Sequence, residues 1–163
     1  MATVDQELTE KELARDYALT SRMNEIYYAG KIAYWRRWDT GFKITSAFAS
    51  SAAVVFFLKD TAPHGTVIAS CLSAAAAVST ILSTVLNLTE SIRAFAVLRA
   101  EYALHFATFS KMKRFGCTLD EVKAAIDKFD ETAQREAKDD PTTSDKLLEA
   151  AYRKALEENA LPA

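Results

Sequence analysis

Glycine and proline are scarce in this chain, with four and three copies in 163 residues. Repeated β-turns draw on those residues for positive or preset φ, so a sheet built on hairpins is excluded. Cysteine is limited to Cys71 and Cys117. Joined by one long helix they would lie ~70 Å apart at the helical rise, so no intrachain disulfide is expected and a reducing compartment fits. An excess of positive charge is missing as well. Twenty Lys and Arg stand against 22 Asp and Glu, for a net charge of −2, which leaves no basic face for a nucleic-acid backbone. The first forty residues carry charge throughout, without the apolar centre of a cleavable leader. A phosphate-cradling Gly-rich loop, a nucleophile elbow and a paired-cysteine metal motif are all absent. Neither an enzyme nor a cofactor nor a metal is expected. Glu101 and His105, four apart, share a helix face and could form one edge of a metal site. As an isolated pair they read as a surface contact.

What is present is segregated. Ala, Leu, Glu, Lys and Arg are common, and these are the good helix formers, so the expected class is all-α. No charge occurs from Gly65 to Thr89, whereas charges crowd Asp120 to Glu158. Residues 5–38 predict a helix with Leu19, Met23, Ile26, Tyr27, Gly30, Ala33 and Tyr34 on one face. It ends in Tyr34-Trp35-Arg36-Arg37-Trp38, an aromatic and basic collar of the kind a membrane interface favours. Ile44–Leu58 is a first apolar run. At ~22 Å it is short for a ~30 Å hydrocarbon core unless it is counted from Gly41 with Lys43 snorkelling. Asp60–Gly65 reads as a turn, and Thr66–Leu88 as an uncharged run long enough to span.

No glycine or proline occurs between Thr66 and Phe115, so one helix is expected to run through. Beyond the second run Ile92, Phe95, Tyr102, Phe106 and Phe109 hold a face that Arg99 interrupts. Gly116 predicts a C-cap, and Thr118-Leu119-Asp120-Glu121 a capping box. Leu119, Val122, Ile126, Phe129 and Ala133 form a seam, expected to pack on the last helix or on another subunit. Asp140-Pro141 is expected to start that last helix, with Leu147, Leu148, Ala151, Tyr152, Ala155 and Leu156 on its face.

The layout this predicts is a two-span transmembrane helical hairpin with long cytoplasmic helical extensions. Residues 1–40 form a cytoplasmic helix with the collar, 41–59 the first span and 60–65 a short extracytoplasmic loop. Residues 66–88 form the second span, 89–115 its cytoplasmic continuation, and 118–160 a C-terminal helical hairpin. Orientation follows the basic flanks. Lys31, Arg36, Arg37 and Lys43 precede the hairpin and Arg93, Arg99, Lys111, Lys113 and Arg114 follow it, against Lys59 alone in the loop. Both termini are therefore expected in the cytoplasm, with the hairpin in the inner membrane. The competing expectation is a soluble bundle that buries an Ala-rich hairpin.

One stripe of the second run is small or polar throughout: Thr66, Ser70, Ser73, Ala77, Thr80, Thr84, Asn87 and Ser91. Small residues let helices approach, and hydroxyls bond across the contact. Ser46, Ala49, Ser50 and Ala53 offer a matching face on the first run. Alternatively the stripe lines a wet path between several copies, with Asn87 at its mouth.

The collar, the short-looped pair of apolar runs, and the helix bearing Arg93 to Tyr102 with its Leu98-x-x-Glu101-Tyr102 pattern resemble the SLATT superfamily. These are the SMODS- and SLOG-associating two-transmembrane effector domains of bacteria, and the likeness covers Tyr17 to Phe115. It implies a homo-oligomeric, membrane-disrupting or pore-forming effector of an antiviral or conflict system. Its partners would be membrane lipid and a separate cytosolic trigger or sensor protein. The alternative function is a non-conducting scaffold, or a small subunit of a larger envelope complex.

Overall fold

The computed structural model describes the backbone of residues 4–58, 65–140 and 143–160, and the side chains of 10–52, 67–140 and 143–158. Among the described residues there are five helices and no strand: α1 (Val4–Leu58), α2 (Gly65–Val85), α3 (Leu88–Phe115), α4 (Leu119–Asp139) and α5 (Asp145–Ala160). The all-α expectation holds. The chain divides into two compact units, Met1–Ile32 with Ala94–Ala163, and Ala33–Arg93. The expected turn at 60–65 lies outside the described residues except for Gly65, as do Pro141 and the last three residues.

The first unit is a four-helix arrangement of the start of α1 with α3, α4 and α5. Its core is aromatic. Tyr17 sits 5.3 Å from both Phe109 and Phe129, Tyr102 lies 5.7 Å from Phe129, and Tyr28 stacks on Tyr102 at 6.0 Å. These contacts set the register. Early α1 meets late α3, and the order reverses along both helices, so the two run antiparallel. Tyr17 beside Phe129 and Tyr28 bonded to Asp140 make α1 and α4 parallel. Arg22 bonds Glu158 while Tyr27 Oη accepts from the Ser144 amide, so α5 returns antiparallel to α1. A Cβ on Gly30 would sit 3.6 Å from Leu147, an ordinary contact, so this glycine marks where α5 crosses close to α1.

Several expectations change. The core face of α1 is Ala14, Ala18, Ser21, Tyr27, Tyr28 and Ile32, so of the predicted series Tyr27 is a core residue and the other bulky members are not. Of that series Leu19, Met23 and Ile26 are half-buried, and Ala33 and Tyr34 are exposed. Three neighbouring helices press on α1, and small side chains permit that approach. The seam of α4 buries Val122, Ala125, Phe129 and Thr132, and its contacts run to α1 and α3. Helix α5 begins at Asp145 rather than at Asp140-Pro141. It buries Ala151 and Ala155 and leaves Tyr152 and Leu156 exposed. Gly41 does not break α1, because one interior glycine costs only about 1 kcal/mol in a helix. The expected continuous helix from Thr66 to Phe115 is broken at Asn87, which has φ of 45°. Asparagine is among the few residues that enter the left-handed region readily. Its carbonyl accepts from the amides of Glu90 and Ser91, and its side-chain amide donates to Glu90, so it opens α3.

The ends of α3 and α4 follow local rules. Gly116 has φ of 80° and its amide donates to the Met112 carbonyl. Thr118 accepts from the Glu121 amide and Glu121 accepts from the Thr118 amide, the reciprocal capping box. Those bonds hold the Glu121 carboxyl below its usual value.

The principal polar feature of the core is an ion pair. Lys31 Nζ lies 2.6 and 2.5 Å from the two oxygens of Asp140, and both side chains are buried. Tyr28 Oη donates to the same carboxylate at 3.3 Å. The ammonium stands 5.1 Å from the Tyr27 ring and 5.2 Å from Phe95. Lys31 is thus a core residue rather than a flanking charge, and Asp140 closes α4 instead of starting α5. Nearby, Tyr102 donates to Glu136. Burial first, then Glu136, pushes the Tyr28 and Tyr102 hydroxyls well above their ordinary value. The anticipated Glu101–His105 pair is not formed: Glu101 pairs with Arg135 and His105 with the Thr132 hydroxyl at 2.9 Å.

Removing one partner of a buried pair strands the other. Lys31→Met should cost about 3–5 kcal/mol in the first unit, and Lys31→Met with Asp140→Leu should recover most of it. Denaturant unfolding followed by circular dichroism checks both. Thr118→Ala should cost about 1 kcal/mol in the same assay. Burial lowers the His105 pKa below 6.5, Glu101 opposes it, and Lys128 adds to the lowering. The neutral ring therefore contributes its full stability above about pH 6.5, and that contribution is lost as pH falls through the lower folded value. The melting temperature of the wild type relative to His105→Gln should fall between neutral pH and pH 5.

Candidate functional site

The second unit is made of the later part of α1 and α2, which lie side by side. Ser46 Oγ and Thr80 Oγ1 are 3.1 Å apart across the contact. The face of α2 turned inward carries Ala69, Ala76 and Ser79, with Leu72 and Ser83 half-buried. On α1 it is Ala49, with Phe42 and Ser46 half-buried. Small residues allow this close contact.

The stripe singled out in the sequence lies one position round from that contact. Ser70, Ser73, Ala77, Thr80, Thr84 and Asn87 are exposed, Ser91 is half-buried, and the Thr66 side chain lies outside the described residues. Thr80 and Thr84 sit at the edge of the contact and, with Ser46, Ser50, Ser79 and Ser83, line an open groove of about 310 Å³. The Thr80 and Thr84 hydroxyls also bond back to the carbonyls four residues earlier, at 2.9 Å each. This groove is hydroxyl-rich without being charged along most of its length, and Lys43 stands at one end. Of the proposed matching face, Ser46 and Ala49 do meet α2, Ser50 borders the groove, and the Ala53 side chain lies outside the described residues.

The rest of α2 is apolar and uncovered. Val67, Ile68, Val78, Ile81, Leu82, Val85 and Leu86 are all exposed, Val85 by 74%. On α1, Ile44 and Phe48 are exposed in the same way. Among the described residues, one helical run is long and apolar enough to cross a membrane. It lies in Val67–Phe115, where a window reaches a mean hydropathy of 1.8 with only 17% of its residues buried. The core helix of a soluble fold is mostly buried, and this one is not. Fully burying one Val, Leu or Ile side chain is worth ~1.5–3 kcal/mol, so leaving such a row in water is costly.

The collar borders this surface. Tyr34, Trp38 and Phe42 stack at successive turns of α1, with ring centroids 6.3 and 5.7 Å apart, and Trp35 lies edge-on to Tyr34 at 5.6 Å. Tyr34 and Trp38 are half-exposed, and Arg36 and Arg37 are exposed. Lys43 pairs with Asp39 at 2.6 Å.

No family model, curated protein or solved structure matches the chain. Its site must be read from its own chemistry. Among the described residues no three His, Cys, Asp or Glu side chains cluster as metal ligands. What the second unit offers is an apolar surface with a polar groove along one side. Of the stripe only Thr80 and Thr84 line the groove, joined by Ser46 and Ser50 of the matching face. Ser79 and Ser83, which the sequence pattern did not single out, complete it, because small side chains on α2 occupy both neighbouring stripes.

The break at Asn87 yields a test of its backbone role. Asn87→Gly should be tolerated, whereas Asn87→Val, which resists positive φ, should cost about 1–2 kcal/mol in thermal unfolding.

Proposed function

We propose that this chain is an integral inner-membrane protein whose residues 41–59 and 66–88 enter the bilayer as a two-span hairpin. The first unit and both termini remain in the cytoplasm. Several copies assemble through the hairpin into a membrane-permeabilising effector, released by a separate cytosolic trigger. The observation that carries the reading is the uncovered apolar face of α2, only 17% buried in its most apolar window. Lipid removes that surface from water without requiring any further protein. Helices bond their interior backbone groups within themselves, as hydrocarbon demands, and their unpaired groups are confined to the ends.

Orientation rests on the flanks. Lys31 is used internally, but Arg36 and Arg37 before the pair and Arg93 and Arg99 after it are exposed, an excess that belongs on the cytoplasmic side. The first apolar run is the shorter one. It reaches the interface with the collar at Tyr34–Trp38 and with Lys43 extended along its own stem.

The permeabilising step rests on the groove. In isolation its six hydroxyl side chains, Ser46, Ser50, Ser79, Thr80, Ser83 and Thr84, border an open channel-like furrow. Apposed copies would enclose these furrows and hold water between them, where apolar side chains would not. The effector role, as distinct from the membrane placement, draws on the likeness in layout to SLATT domains.

Two measurements test this. After carbonate washing the full chain should remain in the membrane pellet; recovery in the supernatant, monodisperse without detergent, sinks the membrane reading. Expression with the trigger engaged should collapse the membrane potential, and Thr80→Leu, which fills the groove, should reduce that collapse by at least tenfold in dye uptake, about 1.4 kcal/mol in effective free energy. Unchanged potential at high expression in every condition, with one stoichiometric foreign protein in the detergent particle, would replace the effector by a scaffold.

A further inference from the structure

A basic notch lies on α1 beside the collar. Arg36, Arg37, Thr40, Gly41 and Ile44 line an open concavity of about 410 Å³. Gly41 bares the backbone there, and a Cβ on it would stand in open space with nothing within 4 Å. The bare backbone leaves a recess between the arginine turn above and Ile44 below.

The charges in this recess are unspent. Asp39 is the nearest carboxylate in sequence, and its ion pair is with Lys43, at 2.6 Å. Neither Arg36 nor Arg37 makes an ion pair with a described residue, and both are exposed. Guanidinium groups favour planar, two-point contact with phosphate oxygens. The Thr40 hydroxyl adds a donor on the same side. Below the notch, Ile44 and Phe48 are 52% and 74% exposed, which continues the polar recess into an apolar surface. A free anion would use only the upper half. A molecule with an anionic head and hydrocarbon tails matches both halves.

We propose that this notch binds the phosphate of an anionic phospholipid, with Arg36 and Arg37 on the headgroup, Thr40 donating to it, and the acyl chains along Ile44 and Phe48. The proposal rests on the membrane placement given above and adds a specific lipid to it. Two arginines near an anionic surface are worth about 1 kcal/mol each, so the preference over a zwitterionic lipid should be about ten- to thirtyfold.

The chain's two tryptophans, Trp35 and Trp38, both stand in the collar, so tryptophan fluorescence reports on this site alone. The full chain is reconstituted in phosphatidylcholine vesicles containing brominated phosphatidylglycerol or brominated phosphatidylcholine, and quenching gives the relative affinity. The wild type should favour phosphatidylglycerol by about tenfold or more. Arg36→Gln with Arg37→Gln should bring the ratio to parity. Gly41→Leu should do the same with both charges kept, by filling the recess, and inorganic phosphate in the buffer should leave the wild-type ratio unchanged. Equal quenching by the two lipids in the wild type overturns the site while leaving membrane insertion intact. Loss of the preference on adding inorganic phosphate also overturns it, in favour of a soluble-anion site. Absence of quenching by either lipid overturns the membrane placement itself.

Discussion

The bundle of the first unit depends on the Lys31–Asp140 contact. Two opposite charges are withdrawn from water there at a considerable desolvation cost, which their close apposition, the Tyr28 hydroxyl and the Tyr27 and Phe95 rings beside the ammonium offset. The pair fixes where the last turn of α4 lies on α1, and therefore where the chain turns toward α5. The aromatic stack of Tyr28, Tyr102, Phe129, Phe109 and Tyr17 contributes more apolar burial, but rings can slide past one another. A buried carboxylate with one cation in reach cannot, so the pair selects a single register from those the stack would tolerate.

The two units solve the problem of apolar surface in opposite ways. In the first, four helices cover one another, and Leu98, Tyr102, Phe109 and Val122 are wholly enclosed. In the second, two helices cannot enclose two apolar faces, and the contact between them uses alanine and serine rather than the large side chains. The larger residues are thereby left outward. This is the reverse of the first unit, where the large side chains are the enclosed ones. The lipid placement and the phosphate notch both grow from this inversion, the first from the face itself and the second from the point where the basic collar meets it.

Much of this organisation was legible in the sequence. Helical class followed from scarce glycine and proline and abundant helix formers. The caps at Gly116 and Thr118 were readable because their chemistry is local: a left-handed residue and a reciprocal pair of bonds need no distant partner. The long-range features were less legible. Lys31 is three residues before an exposed collar and read as one of the basic flank, and its partner lies 109 positions away. Tyr27 on the core face of α1 was read correctly, but the rest of that face was misread because hydrophobic size suggests burial, while crowding by three helices selects small residues at Ala14, Ala18 and Ser21. The break at Asn87 was hidden because asparagine adopts positive φ without the glycine or proline that usually announces it.

The hydroxyls of the α1–α2 groove have one further consequence. Thr80 and Thr84 donate their protons to carbonyls within their own helix, so neither requires a neighbour for its hydrogen. Such back-bonding lowers the penalty of facing hydrocarbon. In the proposed bilayer such a surface would rest against acyl chains while copies are apart, and against water or a second helix once they meet. On the proposed placement, association of copies would be governed mainly by how densely they populate the plane, reversible at low occupancy and persistent once crowding sets in.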